Sequence, residues 1–72
     1  MTELVKLKQF RQKMKLTQAA AAESIGIDQR QWNRYENGKN EMPIRYLREI
    51  CKKYKVSADW LLGLEEDAPA RP

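Results

Sequence analysis

The chain contains no histidine and a single cysteine, Cys51. A zinc site built from those residue types is therefore excluded, as is an internal disulfide. The missing imidazole also removes the commonest general base, and no nucleophile–base pair or phosphate loop takes its place. No catalytic residue is assigned and no cofactor or metal is expected. Apolar residues never run long enough to cross a bilayer, so no membrane partner is expected. The opening MTELVKLKQF alternates charge with apolar residues and is not a secretion signal. One cysteine and no leader predict a cytoplasmic protein. Glycine is scarce, at three residues, and each one becomes informative as punctuation.

What is present is basic and helical. The net charge is +4, but the last eight residues hold three acids and one arginine, which leaves residues 1–64 at +6. A basic body suits a polyanionic partner; a charged solvated surface accounts for it equally well. Seventy-two residues allow one small core, which needs well-packed helices or a partner chain.

Residues 17–38, TQAAAAESIGIDQRQWNRYENG, read as two helices joined by a tight turn. Thr17 is placed to cap the first, four alanines favour it, and Gly26 ends it. Asp28 is placed to cap the second, with Gln31 three residues on as its capping-box partner, and Gly38 ends it. Ala22 lets the helices approach while Ile25, Ile27 and Trp32 fill the angle between them. Leu4, Leu7, Phe10 and Met14 give an earlier helix from Thr2 to about Met14. Pro43 opens a fourth, with Ile44, Leu47, Ile50, Cys51 and Tyr54 as its apolar face. Ser57 caps a short fifth, ended by Gly63. Residues 65–72 carry two prolines and no apolar pattern and read as a tail or linker.

This spacing resembles the helix-turn-helix of the phage-repressor/Cro (XRE-like) family over about residues 4–64. Lys15 and Lys55 depart from it, standing where the family commonly has glycine. The resemblance implies an all-α, compact five-helix lambda-repressor-like DNA-binding domain over residues 1–64. Its expected role is sequence-specific transcription regulation, as a repressor reading the major groove of double-stranded DNA with the helix Asp28–Asn37. The alternatives are an antitoxin-type module that binds a toxin or effector protein, and the DNA-binding part of a longer regulator.

At ~100° per residue, Gln29, Arg30, Asn33 and Arg34 share one arc of that helix, opposite Trp32, Tyr35 and Glu36. Arginine matches two guanine acceptors, and Gln or Asn matches the adenine donor–acceptor pair. A soluble polar helix face would look the same in isolation; second place in a helix-turn-helix favours base reading. The resemblance assigns Gln18 to the DNA backbone. Asn37, Lys39, Asn40 and Arg45 are the further phosphate candidates. It also implies an ion pair between Arg11 and Glu36. Trp32 is expected in the core, its bulk offset by Ala21 where the family has leucine. Exposure and stacking on DNA is the alternative. Cys51 is expected to be a small core residue. The apolar surplus at Trp60, Leu61, Leu62 and Leu64 predicts a homodimer joined through the fifth helix and the end of the fourth, with Trp60 and Leu64 at its seam, assembled by DNA if weak in solution; the competing account is that all four cap the core.

Overall fold

The computed structural model describes residues 4–64, so the Thr2 cap and the tail at 65–72 lie outside the described residues. Five helices follow in order: α1 Leu7–Lys13, α2 Gln18–Ser24, α3 Gln29–Glu36, α4 Ile44–Tyr54 and α5 Ala58–Leu61. Side chains fix three of the starts. Thr17 Oγ1 accepts from the Ala20 N–H at 3.0 Å, Asp28 Oδ1 from Gln31 at 2.8 Å, and Ser57 Oγ from Trp60 at 3.3 Å. Each satisfies an N–H that the helix itself leaves unpaired. The Asp28 cap is one-sided. Gln31 sends its side-chain amide to the Tyr35 hydroxyl at 3.0 Å and not back to the Asp28 backbone.

Four of the five helix ends share one device. After α2 the Gly26 N–H bonds to the Glu23 carbonyl and the Ile27 N–H to that of Ala22. This pair of bonds, closed by a left-handed residue, is the Schellman motif. It recurs after α3 at Gly38 and after α5 at Gly63, all three glycines having positive φ. It recurs after α1 as well, where Lys15 bonds to Gln12 and Leu16 to Arg11. Lys15 therefore takes the left-handed conformation, at φ 58°, without being glycine, and Lys55 does the same after α4.

α1 is shorter than its apolar stripe suggested. Leu4 is buried, but Val5 and Lys6 form a turn, and the helix begins only at Leu7. That turn lies across α5: the Lys6 N–H donates to the Leu61 carbonyl at 3.2 Å, and the Lys6 ammonium sits 5.2 Å from the centre of the Trp60 ring. Trp60 is accordingly 2% exposed. The expected dimer seam is corrected at this residue. An indole covered by its own chain has no face to offer a partner. Leu64 is 75% exposed and remains available. Pro43 stands one position outside α4, as its N-cap, and Ile44, expected on the buried face, is 79% exposed.

The core is built from Leu7, Phe10, Ala21, Ala22, Trp32, Tyr35, Ile50, Val56, Trp60 and Leu61, with Leu4 and Ile25 at its edge. Trp32 is wholly buried in the same cluster as Phe10, Ala21 and Ala22. The small alanines give the indole its space. Phe10 meets Tyr54 edge-on at 5.2 Å. The Tyr54 hydroxyl donates to Ser24 Oγ at 2.7 Å, which donates in turn to the Ala21 carbonyl. α4 is thereby tied to the end of α2.

Candidate nucleic-acid interface

α3 sorts its side chains by face. Trp32 and Tyr35 are buried, and Gln29, Arg30 and Arg34 are exposed. Among the described residues, those three exposed side chains make no hydrogen bond or ion pair, so their donors are available to a ligand. Asn33 differs. Its amide donates to Gln18 Oε1 at 3.3 Å, and its oxygen accepts from Asn37 at 2.9 Å. One N–H of its amide and one lone pair of its oxygen are thus engaged within the chain, and each group keeps a second bonding position.

The network continues inward from Gln18, whose amide donates to Glu36 Oε1 at 3.1 Å. Glu36 also receives the Arg11 guanidinium, with Nε 2.6 Å from Oε2, and the Trp32 indole N–H. A second guanidinium nitrogen of Arg11 donates to the Leu16 carbonyl at 2.9 Å. The Glu36 side chain is 2% exposed. Burial alone would push its carboxyl up. The hydrogen bonds from Arg11, Trp32 and Gln18, with the charge of Arg11, outweigh that effect and hold it below its ordinary value. One carboxylate thus joins α1, α2 and α3.

The phosphate candidates do not form one group. Asn37, Lys39 and Asn40 are exposed on the loop after α3, and this loop is pinned to the helix. The Arg34 carbonyl accepts from the Lys39 and Asn40 N–H groups at 2.9 and 3.4 Å. Gln18, expected on the DNA backbone, is half-buried with its side chain engaged by Glu36 and Asn33. Arg45 is exposed at the start of α4, stacked on its neighbour Tyr46 at 4.8 Å with a hydrogen bond to the hydroxyl. Sequence reasoning missed the Trp32–Glu36 bond. Its signal was present, since positions i and i+4 of a helix are neighbours. It missed Gln18 as a link between helices, for which no local pattern exists.

The profile of the helix-turn-helix family matches residues 7–61, from the first residue of α1 to the last of α5. The chain belongs to the Cro/C1-type helix-turn-helix family, a family of DNA-binding transcription regulators. It is 37% identical over 62 residues to the uncharacterized HTH-type transcriptional regulator YobD of Bacillus subtilis, covering 86% of this chain and 55% of that protein. It is 36% identical over 61 residues to the HTH-type transcriptional regulator ImmR of the same organism, covering 85% of this chain and 48% of that protein. The chain thus spans about half the length of these curated relatives. No solved structure gives a significant match. Among the described residues of this helix-turn-helix protein, no helix is long and apolar enough to cross a membrane, and no cluster of metal-binding side chains occurs.

Proposed function

We propose that this chain binds duplex DNA in the major groove through α3 and acts, without chemistry of its own, as the operator-reading part of a cytoplasmic repressor. The observation that carries this reading is the exposed, unengaged set Gln29, Arg30 and Arg34 on a helix whose other face is tied to α1 and α2 through Glu36. Base reading needs donors that are free and a helix that does not roll. Gln29 and Arg30, at the start of the helix, are the primary readers, with Arg34 further along. Asn33 serves chiefly to hold the helix. Lys39, Asn37 and Asn40 supply backbone contacts, and Arg45 does so after leaving Tyr46.

The test is selection of bound sequences from random duplex DNA at low salt. A recovered consensus supports the reading; failure to bind any duplex removes it. Arg30→Ala and Gln29→Ala are each expected to relax preference at one base pair by ~1–3 kcal/mol. Lys39→Ala should weaken all sequences alike. Affinity should fall steeply between ~50 and ~200 mM salt as phosphate counterions are released.

A further inference from the structure

A second surface lies on α4 and α5, lined by no residue assigned to DNA. It is a groove of about 700 Å³. Its floor is apolar: Leu47, Cys51 and Val56, with Ile44 standing at the mouth, 79% exposed. Ile44, Leu47 and Cys51 fall at i, i+3 and i+7, one stripe of α4. Arg48 and Lys52 run along one flank of the stripe and Lys55 closes its far end. All three cations are exposed, and among the described residues none takes part in an ion pair. Glu49 and Glu41 are not part of the lining.

The charge arrangement selects the occupant. A second copy pairing across this groove would bring two sets of three cations together, and like charges at close range oppose that. A phosphate backbone would use the cations but leave the apolar floor and Ile44 unfilled. A segment with an apolar stripe and carboxylates along one flank satisfies both. α4 has 11 residues, which gives about 16 Å of groove, room for about three turns of a partner helix. We infer that this groove docks an acidic amphipathic helix of a partner protein, apolar side chains against Leu47, Cys51 and Ile44, carboxylates on Arg48, Lys52 and Lys55. This is helix-in-groove recognition. It leaves α3 open, so the partner and DNA can be held together.

The test uses the full chain and a synthetic helical peptide of about three turns with Leu at helical spacing and Glu on one flank. The controls are a scrambled peptide of the same composition and anionic lipid vesicles. Amide shifts by NMR should saturate at Leu47, Cys51 and Val56 and spare α3. Ile44→Asp and Lys52→Glu, both exposed changes that leave the core intact, should each weaken the peptide by about tenfold. Lys52→Arg should restore binding. The inference is overturned if the scrambled peptide or the vesicles bind equally, or if the shifts centre on Arg30 and Arg34. It is also overturned if Ile44→Asp abolishes self-association of the chain. None of these readouts uses DNA, so failure here leaves the operator reading untouched.

Discussion

Lys15 shows how a single residue can keep a motif at a cost. It performs the glycine role in the helix-ending motif, with the same two backbone bonds that Gly26, Gly38 and Gly63 support. A side chain in the left-handed region is strained by ~1–2 kcal/mol. Lys15→Gly should therefore stabilise the fold by about 1 kcal/mol once the extra freedom of glycine in the unfolded chain is set against it. Urea unfolding measures this, and Lys15→Ala is the control that should give no gain. The sequence pointed to the position, because lysine stands where the family has glycine. It did not show that the backbone takes the glycine conformation regardless. That follows from Leu16 and Arg11, which fix the turn from both sides.

Glu36 carries the second prediction at this scale. Its carboxyl is held below its ordinary value of 4.5 in the folded chain, so the charged form is bound better folded than unfolded. The resulting stability is fully present above that ordinary value and is lost as pH falls through the lowered folded value. Glu36→Gln removes the charge while keeping the shape. It leaves the Arg11 guanidinium largely buried without a counter-charge, which should cost about 3 kcal/mol. Unfolding followed from pH 7 down to acid should show the wild type losing its advantage over Glu36→Gln. A constant gap across that range would mean that the charge of Glu36 does not contribute to stability.

At the scale of elements, the helix-turn-helix was readable because its signals are local. Thr17, Asp28 and Gly26 act on their own turns, and the alternation of buried and exposed positions on α3 follows from its period. The start of α1 and the place of Trp60 were not readable. An apolar stripe does not say where a helix begins when Leu4 is buried equally well from a turn. The fate of the indole depends on that turn folding back over α5, a contact between residues far apart in sequence. Asn33 makes the same point at the interface. Its arc matched that of the base readers, yet contacts from α2 and from the end of α3 engage it. Asn33→Ala should thus differ from Arg30→Ala. It should weaken binding to all operator variants together, by loosening the α2–α3 angle, and leave base preference unchanged. Binding measured over a panel of single-base operator variants distinguishes the two. Selective loss at one base pair would return Asn33 to the readers.

For the molecule as a whole, one small domain by itself offers limited specificity. One recognition helix reads only a few base pairs, and a two-fold pair of helices about 34–36 Å apart doubles that reading. Trp60 is excluded from the seam by its burial, but the surface beside it is apolar and open. Leu64 is 75% exposed and Val5 56%. They belong to one region, since a Cβ placed on Gly63 would lie 2.7 Å from Val5 Cγ2. We propose that two copies pair through this region, and that pairing depends on Val5 and Leu64. The patch is small against the ~1,600 Å² of a standard stable interface, so pairing should be weak in solution and become evident on DNA. Leu64→Asp should abolish cooperative binding to a palindrome while leaving affinity for an isolated half-site unchanged. Trp60→Ala should behave in the opposite way. Removing a buried indole costs ~3–5 kcal/mol, so it should lower stability and, wherever the chain stays folded, leave cooperativity intact. Titration of both duplexes with both variants, alongside thermal unfolding, separates the two residues. If Leu64→Asp leaves cooperativity unchanged, the seam lies elsewhere, and a footprint without two-fold symmetry rules out the dimer.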